Sequence, residues 1–110
     1  MKYMCFFKSG EVKQQDKEKL MKSWNEWTQD LKEKGYIESG AAFGEGGKLI
    51  TQKTVSDYRV KKDDLTGYLV LNVSNEQEAI NLAKQSPDLP YGGSTVIRPC
   101  AEMREPVMKS

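Results

Sequence analysis

The chain has 110 residues, of which 37% are hydrophobic, 30% charged and 9% aromatic; this length predicts one domain, and this composition excludes a disordered tail. Its 17 basic and 16 acidic side chains leave a net charge of +1, which argues against nucleic acid or an anionic membrane surface as a partner. Histidine is absent, and no apolar run has the length of a membrane span or forms a signal peptide behind Lys2.

Residues 2–8 are short, aromatic and bounded by Ser9-Gly10, which predicts a strand. Tyr3, Cys5 and Phe7 point one way and Met4 and Phe6 the other, so both of its faces are apolar. From residue 16 to residue 34 the period changes to that of a helix. Leu20, Trp24, Trp27 and Leu31 fall on one stripe, with Asp16 as the expected N-cap and Gly35 as the left-handed residue past the end. At this spacing the tryptophans read as core anchors, not as a ligand platform. Residues 36–43 predict a second strand, closed by Gly44, Gly46 and Gly47. Residues 48–59 predict a hairpin excursion, since Leu49-Ile50 and Thr54-Val55 carry β-propensity with polar residues between them. Residues 65–73 form the strongest expected strand, again apolar on both sides. A helix capped by Ser74, with Gln77 in a capping box, carries Ala79, Ile80, Leu82 and Ala83 inward and stops before Pro87. Residues 95–100 predict a last strand, placed at an edge by Pro99, and residues 101–110 a loose tail beyond a domain of residues 1–100.

This order predicts an α+β protein: a ferredoxin-like βαββαβ plan with a hairpin inserted between the second and third core strands and an antiparallel sheet. Two helices cover one face of such a sheet. The other face keeps Met4 or Tyr3, Phe6 or Phe7, and one side of the 65–73 strand. An apolar patch of that size calls for a cover, and a second copy packed sheet on sheet is the simplest one. The expectation is a homodimer through the helix-free face.

The chemistry is bounded by what is missing. Without histidine, neither a Ser-His-Asp nor a Cys-His pair can be built. Cys5 and Cys100 lie at opposite ends with no Cys-x-x-Cys spacing, so no metal or cofactor is expected. Both read as small reduced hydrophobes in strands of a cytoplasmic protein. Gly92-Gly93 is too short for a phosphate loop and reads as a turn. The strand at residues 66–73 stands where an RNA-recognition domain keeps its stacking motif. Thr66 leads it, however, and Val70 and Val73 replace the aromatics, so that reading is set aside.

The chain carries in order the start Met1-Lys-Tyr-Met4, the tract Lys62-Asp-Asp-Leu-Thr-Gly-Tyr68, and Tyr91-Gly-Gly93 leading into Ile97-Arg-Pro99. Together they resemble the YCII-related family, also called DGPF, of the dimeric α+β barrel superfamily, over about residues 1–100. Asp57 matches the aspartate that opens the family's Asp-Gly-Pro-Phe signature, while Tyr58, Arg59 and Val60 replace the residues after it. The loop from there to Gly67-Tyr68 is about two residues shorter, and Val96 stands where the family carries a glutamate. The histidine–aspartate pair suggested for part of the family has no histidine here.

The resemblance implies a dimeric barrel with a small-molecule pocket between the helix-free face and the partner, near the hairpin. The candidates at its mouth are Asp57, Tyr58, Arg59, Tyr68, Tyr91 and Arg98. Asp57 could act as a general base if desolvated. Arg59 or Arg98 could hold an anion bidentately, and Tyr68 or Tyr91 could donate to a developing oxyanion. The plainer roles are an Asx turn at Asp57, a filled sheet face at Tyr68, and a pair between Arg98 and Glu102 or an acidic residue of a second subunit. The leading expectation is a small-molecule-binding module without catalysis. The alternative is a cofactor-free lyase or isomerase on small cyclic substrates, as some relatives are.

Overall fold

The computed structural model describes residues 1–101; residues 102–110 of the expected tail, with Glu102 as the expected partner of Arg98, lie outside the described residues. The elements are β1 (Lys2–Lys8), α1 (Lys17–Glu33), β2 (Ile37–Ala42), β3 (Lys48–Ile50), β4 (Val55–Asp57), β5 (Leu65–Asn72), α2 (Glu76–Ala83) and β6 (Ser94–Pro99). The main sheet runs β2-β5-β1-β6, every pair antiparallel, and β3–β4 form a separate two-stranded ribbon. This is the expected βαββαβ plan with its inserted hairpin, and β6, with Pro99 at its end, is an edge strand.

Alternation sorts the sheet into two faces. Tyr3, Cys5 and Phe7 of β1, with Leu69 and Leu71 of β5 and the following Val73, point toward the helices and form one buried cluster with Trp27, Leu31 and Ala79. Phe7, Trp24 and Trp27 meet edge to face, with ring centroids 4.8 to 5.9 Å apart, a geometry that aligns positive ring edges with negative faces. The α1 stripe is therefore a core stripe, as its spacing predicts.

The helix-free face takes the alternate positions, which settles its membership as Met4 and Phe6, not Tyr3 and Phe7. Cross-strand register places Ala41, Tyr68, Phe6 and Val96 in one row and Ser39, Val70, Met4 and Arg98 in the next. Apolar side chains fill the middle of both rows: Met4, Phe6 and Tyr68 are half-buried, Val96 is exposed and Val70 is buried within the subunit.

Local ends of the helices show where side-chain chemistry overrode the pattern. Gly35, at φ +79°, closes α1: its N–H donates to Lys32 O at 3.0 Å and the Tyr36 N–H to Leu31 O at 2.9 Å, the paired bonds of a Schellman turn. Asp16 makes no side-chain cap. A 3-10 turn over Gln14–Asp16 runs into the helix and leaves Asp16 in helical backbone, whereas a capping residue is extended. At α2 the cap is Asn75, not Ser74. Asn75 is extended; its Oδ1 accepts from the Glu78 N–H at 2.9 Å, and Glu78 Oε1 accepts from the Ser74 N–H at 3.0 Å. The one-residue shift puts an ionised carboxylate in the reciprocal position in place of the Gln77 amide, and a charged acceptor makes the stronger bond. Asn75→Ala is expected to cost about 1 kcal/mol, read as a lower urea midpoint at unchanged slope.

Candidate functional site

A recess of about 620 Å³ opens between α1 and the β2–β5 half of the sheet. Leu20, Trp24 and Thr28 of α1 form one wall, Phe7 and Leu69 the back, and Gly40, Ala41, Ala42 and Gly67 the floor. The small floor residues have a structural cause. A Cβ on Gly67 would lie 2.9 Å from Ala41 O, and one on Gly40 would lie 2.8 Å from Tyr68 O. β2 and β5 thus approach closely with little side chain to fill the space beneath α1. A cavity of this size lies in the range of small-ligand sites, and polar groups that include Asn25, Gln29 and Lys32 interrupt its apolar walls.

One of those polar groups is Asp88, which is 1% exposed. The loop that carries it is clamped against β1. The Asp88 carbonyl accepts from the Tyr91 and Gly93 N–H groups, each at 3.0 Å. Gly93 passes so close that a Cβ would sit 2.5 Å from Lys8 O and 2.8 Å from Asp88 Cβ. The Asp88 side chain accepts from Trp24 Nε1 at 3.3 Å through Oδ1, and Oδ2 is buried with no partner among the described residues.

Desolvation pushes the Asp88 carboxyl above its ordinary value of 3.8, and the Trp24 hydrogen bond partly offsets that. In the pH window between the unfolded and folded values the native state holds more proton than the unfolded one. Stability therefore falls as pH rises through that window and stays lowered above it. Asp88→Asn is expected to gain on the native chain as pH rises from 3.8 and then to level off. Urea midpoints of both proteins against pH check this, and parallel profiles would refute it.

The residues singled out by sequence are not gathered at one place. Asp57, whose side chain is 80% exposed, ends the ribbon and pairs with Lys48. Tyr58 turns back to donate from Oη to Asp64 Oδ2 at 2.7 Å, and the Lys61 N–H donates to the same oxygen at 2.6 Å. The Tyr58 hydrogen bond raises the phenol above its ordinary value, while the two donors lower the Asp64 carboxyl. Arg59 is exposed. Tyr68 and Arg98 share the helix-free face, in neighbouring rows, and Tyr68 also borders the recess. Tyr91 lies on the helix side, at a second open cleft of about 690 Å³ shared with Lys19, Trp27 and Pro87. Asp88 and Trp24 are the polar pair that pattern reading missed. The available signals were a charge set between Pro87 and Leu89, and the small run Gly40-Ala-Ala42 opposite Gly67.

Burial pushes the Cys5 thiol up to about 11, which leaves it protonated and poorly nucleophilic. Among the described residues no three of Cys, Asp and Glu converge to hold a metal, and no helix is long and apolar enough to cross a membrane.

With this geometry in place, the chain can be set beside known proteins. Among curated proteins none matches it. A solved structure that shares its fold is a 5-chloro-2-hydroxyhydroquinone dehydrochlorinase from Burkholderia phenoliruptrix AC1100, in complex with 2,5-dihydroxybenzoquinone. The two agree with a TM-score of 0.57 over 94% of this chain and 96% of that one, at 13% sequence identity. The family model for the YCII-related domain matches residues 1–104, nearly the whole chain, and the protein belongs to that family.

Proposed function

We propose that the protein is a homodimeric small-molecule-binding module, its helix-free faces packed on each other and a small cyclic ligand held in each subunit's recess between α1 and the sheet. The observation that carries the binding reading is the recess itself: about 620 Å³, walled by Trp24, Phe7 and Leu69, with the Asp88 carboxyl at its edge. Its volume admits a single ring with room to spare. The aromatic walls supply contact area, and Asp88, Asn25 and Lys32 at the edge supply polar partners for a hydroxylated ring. The quinone bound by the dehydrochlorinase neighbour is of that class. Two free cysteines, one buried and one exposed, accord with a reducing cytoplasmic setting.

Calorimetric titration with hydroquinone and with 2,5-dihydroxybenzoquinone tests the reading. One saturable site per subunit is expected, and Leu20→Trp, which fills the recess from the α1 wall, is expected to weaken it at least tenfold. Absence of saturable heat with either compound would remove the proposal.

A second reading, a cofactor-free lyase or isomerase, draws on the neighbour's dehydrochlorinase activity. In it Asp57 is the base, Tyr68 or Tyr91 donates to the developing oxyanion, and Arg59 or Arg98 holds an anionic group. Its signature is chloride release from 5-chloro-2-hydroxyhydroquinone that Asp57→Asn abolishes. Saturable binding without release favours the module.

A further inference from the structure

We propose that the β3–β4 ribbon is an arm that clasps a second copy of the chain and carries Asp57, Tyr58 and Arg59 onto that partner. The inference rests on the dimeric reading above and names what completes the interface.

The ribbon pairs with no strand of the main sheet. A lone two-stranded hairpin is marginally stable in water, and this one is also greasy. Ile50 is 71% and Val55 69% exposed, facing each other across the ribbon, with Leu49 on its other side. Its charges do not oppose burial there: Lys48 pairs with Asp57 at the base, and Lys53 sits at the turn. The base is held firmly. The Tyr58 N–H donates to Gly47 O at 2.9 Å and Tyr58 Oη to Asp64. At the tip, Thr51 and Thr54 close the turn with three mutual hydrogen bonds. The arm is thus built, directed and capped, yet its apolar side chains touch water.

A second copy is the occupant because the arm continues the surface already assigned to one. Phe43, which leads into the ribbon, lies 6.1 Å from Tyr68 between ring centroids. Tyr68 stands in the row with Phe6 and Val96, so one apolar band runs from the sheet face toward the arm. Four strands about 4.8 Å apart and about six residues long, at roughly 3.4 Å each, cover a flat footprint of about 400 Å². The arm's apolar surface adds to the accessible area of that face, toward the roughly 800 Å² that each partner of a stable interface gives. In a two-fold pairing each arm adds its area twice, once in each direction. The exposed Asp57 gains a setting the same way, against the partner's surface.

The test uses the full chain. Ile50→Glu with Val55→Lys replaces the apolar pair by an ion pair that still matches across the ribbon. Sedimentation equilibrium is expected to show the dimer dissociation constant raised by about tenfold to a hundredfold, with the circular dichroism spectrum unchanged. In the native chain, the Leu49–Val55 amides are expected to exchange slowly as dimer and to lose that protection on dilution. A variant that dimerises as well as the native chain, or ribbon amides unprotected in the dimer, overturns the arm and leaves the sheet-face dimer standing. A monomeric native chain overturns the dimer itself. The two failures therefore appear in different samples.

Discussion

Phe6→Glu is expected to break the proposed homodimer into monomers. Phe6 is at the middle of the helix-free face, flanked in register by Tyr68 on one side and Val96 on the other. A carboxylate there is desolvated by a sheet-on-sheet interface, which costs several kcal/mol for a charge without a matched partner, and Arg98 in the next row of the same face offsets part of that. At about 1.4 kcal/mol per tenfold, the dissociation constant rises by about two orders of magnitude or more. The subunit itself tolerates the change, because Phe6 is only half-buried within it. Trp24 and Trp27 pack on the other side of the sheet, so their near-ultraviolet signals are expected to persist. Sedimentation equilibrium reads the first effect and circular dichroism the second.

Leu71→Ala is expected to do the reverse, striking the subunit and sparing the face. Leu71 is 0% exposed, paired with Tyr3 on one side and Ile37 on the other beneath both helices. Truncating such a leucine costs about 2 to 5 kcal/mol, since it removes buried surface and leaves a cavity that packed neighbours fill only partly. Against a total of about 5 to 15 kcal/mol, that is a large share. Each kcal/mol lost lowers Tm by about 4 to 8 °C in a domain this size. Val70, the next residue, points to the helix-free face. Val70 is 9% exposed within the subunit, so Val70→Ala is the comparison in which a smaller loss of packing is joined by a loss of association. Melts over a series of protein concentrations separate the pair, because weakened association changes how Tm moves with concentration, whereas a subunit defect lowers it at every concentration.

Those opposite outcomes at adjacent residues express how much of the architecture was written in period alone. The two-sided apolar pattern of β1 and β5 and the Trp24–Trp27–Leu31 stripe come straight from alternation and helical spacing. So do the turn at Gly35 and the edge placement of Pro99. What period could not decide was which odd or even set faced the helices. That choice follows from where α1 and α2 dock, a tertiary fact. The caps slipped for local reasons: an entering 3-10 turn at Asp16, and the stronger acceptor Glu78 drawing the cap to Asn75. The recess was illegible for a different reason. It arises from what is absent at Gly40 and Gly67, and from a loop that returns Asp88 to Trp24 across 64 positions of sequence. No local pattern encodes such a contact. The ribbon was visible as a hairpin, but its detachment from the sheet was not, because short strands carry no record of which surface they meet.

The account turns on the uncovered sheet face, and the mass of the native chain in solution tests it most directly. Sedimentation equilibrium at micromolar concentration is expected to return twice the chain mass of 12.5 kDa. A single well-behaved species at 12.5 kDa would contradict it.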